Sequence, residues 1–206
     1  MIVIIDYGMG NLGSILNMMK KIGASAVISS KISDIEKADK LILPGVGAFD
    51  NGMKNLSERG LIQVLNDKVI KDATPILGIC LGMQLFAKRS EEGILDGLGW
   101  IDAETVKFRF EGDKTDLKIP HMGWNYLKIA KEHPLFGDLG DKPRFYFVHS
   151  YHVVCNSSED VLATTYYGYD FVSSINRGNI FGVQFHPEKS HKFGMRLLTN
   201  WAKDNR

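Results

Sequence analysis

Near-continuous apolar runs that alternate with helical spacing constrain this chain most. "MIVIID" (1–6) reads as a buried strand, "ASAVISS" (24–30) and "ADKLILPG" (38–45) repeat the strand pattern, and "TPILGIC" (74–80) is another strand. Between them "NLGSILNMMKKIG" (11–23) and the stretch 49–70, interrupted at Gly60, carry apolar residues at helical spacing, as does "LGMQLFAKRS" (81–90). That alternation demands a parallel sheet with helices on both faces. From about Trp100 the pattern changes. "IDAETVKFRF", "FYFVHSYHVV", "DVLATTYYG" and "FVSSINRGNIFGVQF" alternate β-branched and aromatic residues between close turns, which predicts antiparallel strands or hairpins. "SHKFGMRLLTNWAKDN" (190–205) closes as an amphipathic helix. The expectation is a single α/β domain over 1–206, three layers deep, with a mixed, mostly parallel sheet flanked by helices.

The 206 residues, 44% of them hydrophobic, can bury one sizeable core. Basic and acidic residues number 25 and 24, for a net charge of +1 with both signs scattered, which argues against nucleic acid or a membrane surface as partner. The four apolar residues before Asp6 lack the basic lead of a signal peptide, and no apolar run approaches the ~20 residues of a membrane span. Cys80 and Cys155 are the only cysteines, so reduced thiols and a cytoplasmic location are expected. No CxxC or HxxxH pair suggests a metal, and no cofactor is expected.

Two motifs compete for the chemistry. Gly8, Gly10 and Gly13 in "GMGNLG" spell the G-x-G-x-x-G of dinucleotide-dependent oxidoreductases, between a strand and a helix. Against it, Asp6 would bring a carboxylate towards a pyrophosphate, and Ser29, Ser30 and Lys31 stand where a ribose-binding acid belongs. The second motif is Gly78-Ile79-Cys80-Leu81-Gly82, where strand, G-x-nucleophile-x-G and helix form a nucleophile elbow. A lone buried cysteine is usually only a small hydrophobe, so partners decide. The candidate base is His186 in "GVQFHPEKS", held extended by Pro187, with Glu188 two residues on to orient and charge-balance the imidazole. For the oxyanion, the N–H of Leu81 offers one donor, and the loop Pro44-Gly45-Val46-Gly47 offers a second through Val46 and Gly47. A non-catalytic binding module is disfavoured because Cys80, His186 and Glu188 are all intact.

These residues resemble the triad-type, class I glutamine amidotransferases, whose cysteine elbow, His-Pro-Glu segment and oxyanion strand are similar to 78–82, 186–188 and 44–47. Within that family "DYGMGN", "PGVGAF", "GICLGMQ", "SEEG", "GLGWI", "HMGWN", "YFVHSYH" and "GVQFHPEKS", spread over 6–190, are similar to the glutaminase subunits of imidazole glycerol phosphate synthases. The resemblance implies a flavodoxin-like class I glutaminase fold, hydrolysis of L-glutamine through a Cys80 thioester, and delivery of ammonia to a (β/α)8-barrel cyclase or synthase subunit in a heterodimer of histidine biosynthesis. It implies further that Gln84, Glu92, Ser150 and Tyr151 hold glutamine, and that Asn11, Met122, Trp124, Tyr146 and Lys189 meet the partner. Close relatives with the same motifs serve sugar amidotransferases of surface polysaccharides, which leaves the acceptor open.

Overall fold

The computed structural model describes residues 1–111 and 116–203. In its first half β1 (Ile2–Ile5), α1 (Leu12–Lys21), β2 (Ala26–Ser29), α2 (Ile32–Glu36), β3 (Lys40–Gly45), α3 (Phe49–Glu58), α4 (Leu61–Asn66), β4 (Ile76–Cys80) and α5 (Leu81–Gln84) follow in order. Gly60, at φ +67°, takes the left-handed turn that separates α3 from α4, as its position in the sequence suggests. The second half holds β5 (Arg89–Ser90), β6 (Ala103–Lys107), β7 (His121–Tyr126), β8 (Lys128–Ile129), β9 (Arg144–His149), β10 (Tyr151–Cys155), β11 (Val161–Tyr167), β12 (Tyr169–Arg177), β13 (Ile180–Val183) and α6 (His191–Lys203). The last two residues of the expected closing helix, 204–205, lie outside the described residues.

One large sheet runs β2-β1-β3-β4-β13-β12-β10-β6-β5, with β11 and β8 branching from β12. Its first five strands are parallel; β12 turns antiparallel at β13, and β10 pairs antiparallel with both β12 and β6. Alternation along β1 divides the core. Val3 and Ile5 face a cluster with Ile35, Phe49, Leu56 and Leu65 from α2, α3 and α4, whereas Ile2 and Ile4 face Ile15, Met19, Leu197 and Trp201 from α1 and α6. Burying both faces is what makes β1, β3, β4 and β13 nearly continuously apolar, whereas β2, at the sheet edge, is only partly buried and exposes Val27.

One expectation is corrected here. The run 81–90 is not one helix: α5 ends at Gln84, and the chain peels away so that Lys88 N–H donates to Ala103 and β5 pairs with β6. Gly97 permits this, since a Cβ there would lie 2.1 Å from the Ala87 carbonyl oxygen. "FYFVHSYHVV" holds two strands that divide at Ser150. β9 leaves to form a separate two-stranded sheet with β7, while β10 stays in the main sheet. Among the described residues no helix is long and apolar enough to cross a membrane.

Candidate active site

β4 and β13 lie side by side and parallel, so the residues that follow each strand emerge at the same edge of the sheet. Cys80 ends β4 at φ +55°, a conformation that a side chain other than glycine seldom adopts, and it caps α5. Both flanking glycines are required by close approach. A Cβ on Gly78 would sit 2.6 Å from the Phe86 ring, and one on Gly82 would sit 1.8 Å from the Leu43 carbonyl oxygen. Gly13, by contrast, faces open space. Gly82→Ala is therefore expected to lower stability by about 3 kcal/mol or more, because its obstacle is backbone that cannot rotate away. Gly13→Ala should leave the protein as stable as before or slightly more so. Thermal melts of the two variants check this, and equal melting temperatures would contradict it.

His186 follows β13 with extended backbone, φ −103° and ψ 96°. Its Nδ1 lies 2.8 Å from Glu188 Oε1, with both side chains buried. The pairing is as expected, but its geometry is not: Pro187–Lys189 form a single 3-10 turn rather than a continued extended segment. The turn is pinned from several sides. His186 N–H donates to the Tyr146 carbonyl, the Ser190 hydroxyl donates to the His186 carbonyl, and Tyr146 N–H donates to that hydroxyl. Gly194 lets α6 pack closely, since a Cβ there would lie 1.8 Å from the Pro187 carbonyl oxygen. Burial works against a charged His186, but Cys80 and Glu188 outweigh it and push its pKa up to about 10. His186 Nε2, the nitrogen turned from Glu188, is buried and has no hydrogen-bond partner among the described residues.

Cys80 opens on a cavity of about 240 Å³, whose walls include Val46, Gly47, Leu81, Gln84, Glu92, Ser150 and Tyr151. All the residues that the sequence proposed for the oxyanion and for glutamine thus meet at the thiol. Gly45 pairs in register with Cys80, so the loop after β3 arrives beside the elbow. Of the two loop glycines only Gly47 has positive φ, at +128°; Gly45 is held in the strand, where a Cβ would lie 2.6 Å from the Tyr7 hydroxyl. The Tyr7 hydroxyl donates to the Pro44 carbonyl at 2.6 Å. Glu92 accepts the N–H of Phe49 at 2.9 Å, which ties its loop to α3. A wider groove of about 630 Å³ at the opposite end of the strands, beside Trp100 and Arg177, carries neither cysteine nor histidine.

Sequence reasoning passed over three buried side chains beside this cavity. Gln184 Nε2 donates to Cys80 Sγ at 3.6 Å. His149 lines the cavity and His121 supports it, in a chain whose direction is fixed by the acceptor at its end. The Tyr151 carbonyl can only accept, so His149 Nδ1 carries the proton at 2.8 Å, and His149 Nε2 accepts from His121 Nδ1 at 3.0 Å. Asn125 donates to His121 Nε2 at 3.2 Å. Burial drives the His149 pKa well below its ordinary range and that of His121 down to about 4, consistent with two neutral rings. The available signal was positional, since Gln184 lies two residues before His186.

The residues assigned to a partner surface separate into two groups. Met122 and Trp124 are exposed on the outer face of β7, not in the core, and Tyr126 continues the row. Trp124 stacks on His191 and meets Tyr146 edge-on, while the Lys189 ammonium lies 5.8 Å from the Tyr146 ring centre. Asn11 stands apart: its side chain caps α1 by accepting Ser14 N–H at 3.4 Å. In the glycine motif, Gly8 and Gly10 have positive φ, but the Gly8 N–H is taken by the Asp6 carboxylate at 3.0 Å. A turn accounts for them. Among the described residues, no group of three or more His, Cys, Asp or Glu side chains is arranged to hold a metal ion.

The family model of class I glutamine amidotransferases matches residues 3–204. The chain belongs to the class I glutamine amidotransferase family. Among curated members, imidazole glycerol phosphate synthase subunit HisH 2 of Methanococcus maripaludis is 57% identical over 203 residues, covering 98% of this chain and 99% of the relative. The subunit of the same name from Pseudomonas aeruginosa is 51% identical with the same coverage. Subunit HisH 1 of Campylobacter jejuni is 50% identical, over 98% of this chain and all of the relative. Solved amidotransferase structures share the fold at low identity. A glutamine amidotransferase of Thermotoga maritima superposes with TM-score 0.64 at 18% identity, over 96% of this chain and 80% of that one. The glutaminase domain of Trypanosoma brucei CTPS, with bound acivicin, gives 0.65 at 16%, over 100% and 94%. Family membership displaces the oxidoreductase alternative raised by "GMGNLG".

Proposed function

We propose that this amidotransferase is the glutaminase subunit of an imidazole glycerol phosphate synthase. One observation carries the reading: the strained Cys80 elbow, which opens on the cavity, and the buried His186–Glu188 pair follow adjacent parallel strands, close enough that Cys80 acts on the His186 imidazole. The Cys80 proton passes to Nε2 of His186, which Cys80 and Glu188 hold as the imidazolium, and the Cys80 thiolate attacks the side-chain carboxamide carbon of L-glutamine. The tetrahedral oxyanion rests on the N–H of Leu81 and on a peptide of the Val46–Gly47 loop. His186 returns the proton to the departing nitrogen, ammonia leaves, and a γ-glutamyl thioester remains on Cys80. Water, deprotonated by His186, then attacks the thioester, and glutamate and the free thiol are regenerated. Gln84, Glu92, Ser150 and Tyr151 hold the substrate. Both N–H groups of the Gln84 amide are already donated to Tyr151 and Gln184, so Gln84 offers glutamine its oxygen.

Ammonia passes to a (β/α)8-barrel cyclase bound as a heterodimer over Met122, Trp124, Tyr146 and Lys189, with Asn11 at the margin. The histidine pathway supplies the acceptor, in a cytoplasm where Cys80 and Cys155 remain free thiols. A second reading rests on the resemblance of the same motifs to glutaminases that serve sugar amidotransferases of surface polysaccharides, and relatives bear the numbered names HisH 1 and HisH 2. On that reading the partner is a sugar amidotransferase for surface polysaccharide. Copurification with each candidate synthase, followed by transfer of nitrogen-15 from labelled glutamine amide to its acceptor, tests both. Trp124→Ala is expected to weaken the complex at least tenfold, as loss of an interfacial aromatic anchor does, without changing the fold. Unaltered affinity by calorimetry would remove the β7 face from the interface.

A further inference from the structure

We propose that Gln184 is a catalytic residue whose side-chain N–H binds the Cys80 sulfur and stabilises the thiolate that attacks glutamine, a role that rests on Cys80 being the nucleophile. Gln184 is fully buried, with no exposed surface, and its Nε2 lies 3.6 Å from Cys80 Sγ. Its orientation is not free. The Tyr151 carbonyl can only accept, so the nitrogen of Gln84 must face it, at 3.0 Å. That same nitrogen lies 3.0 Å from Gln184, which must then present its oxygen to Gln84. Its nitrogen is left facing sulfur. A row of two amides, anchored at one end by a backbone carbonyl, therefore ends with a donor aimed at the thiol.

The backbone holds the row in place, because Gln184 N–H donates to the Ser173 carbonyl and extends the ladder of β13 with β12. The thiol itself lies 3.9 Å from the Val148 carbonyl, an acceptor that favours the S–H form. Loss of the proton to His186 removes that interaction and leaves Gln184 as a donor to the anion, so the amide favours the attacking thiolate over the thiol. The titratable groups facing this sulfur or its base are His186 and Glu188 after β13, Tyr7 after β1, His149 on β9 and, across the cavity, Glu92 and Tyr151. Tyr7 and His149 are held neutral by burial at physiological pH, which leaves His186 as the one cation beside the thiolate and Gln184 as its neutral donor.

The test uses the full chain with Gln184→Met, which keeps length and volume but has no donor, and Gln184→Asn, whose shorter amide falls away from the sulfur. Circular dichroism and thermal melts establish that each variant is folded. The readout is the rate of iodoacetamide alkylation of the Cys80 peptide against pH, followed by mass spectrometry. Burial and then Asp160 push the other thiol, Cys155, up to about 12, so it contributes little label near neutrality. Hydrogen bonds to charged groups are strong enough that the alkylation midpoint should rise by about one to two pH units in both variants. kcat for glutamine should fall at least tenfold; because Gln184 also accepts from Gln84 on the cavity wall, a change in KM reports loss of that contact and the alkylation midpoint alone reports the contact with sulfur. An unchanged midpoint in either folded variant overturns the role, even if turnover falls through packing alone. Cys80→Ser separates the two claims: persistent glutamate release in that variant would refute the nucleophile itself, whereas an unchanged midpoint refutes only Gln184.

Discussion

Replacing Cys80 by alanine is expected to lower glutamine hydrolysis by about 10⁴-fold or more, the scale seen when a covalent nucleophile is removed. The complex should nevertheless keep its synthase reaction when supplied with free ammonia. Both halves follow from the site. Cys80 is the single thiol at the cavity, since Cys155 lies on β10 outside its walls, and the strained elbow exists to present that one side chain. Nothing in the fold depends on the sulfur for packing to a degree that alanine would abolish, so partner binding over β7 should survive. Glutamate release and ammonia-dependent turnover, measured on the same preparation, check the prediction. Wild-type glutamate release would remove Cys80 from the chemistry.

Glu188→Gln should cost roughly a hundredfold in kcat, the usual contribution of assisted proton transfer. The amide oxygen can still accept from His186 Nδ1 across the 2.8 Å contact, so the ring stays oriented. What is lost is the negative charge that helps raise His186 to about 10. The sign of the pH effect follows. His186 must be protonated to hand a proton to the leaving nitrogen, so a lower pKa moves the alkaline limb of the kcat profile to lower pH. The pH–rate profile with saturating glutamine and partner reads this directly, and an unmoved limb would show that Glu188 does not act through the imidazole.

The first half of the fold was legible because its physics is local. Strands buried on both faces must be apolar throughout, and β1, β3 and β4 read that way without knowledge of their neighbours. The run 81–90 misled because its apolar spacing persists after Gln84, while the backbone bonds that end α5 come from Ala103 and the Gly97 loop, far along the chain. β7 was invisible as a strand for a similar reason: "HMGWNY" is ordered by pairing with β9, which begins only at Arg144, and displays Met122 and Trp124 outward. Cys80, His186 and Glu188 could be found because each residue type is chemically specific and its spacing limits where it can point. Gln184, His149 and His121 could not, since an amide or a buried imidazole takes its meaning from what it touches, and those contacts join β4, β7, β9 and the end of β13.

The most direct test of a covalent Cys80 mechanism is mass spectrometry of the Cys80 peptide from the partner complex, acid-quenched during turnover of glutamine. A γ-glutamyl group on Cys80 is the predicted result, together with complete loss of glutamate release once Cys80 has been stoichiometrically alkylated. A γ-glutamyl group on a different residue, or continued glutamate release from the alkylated complex, would contradict it.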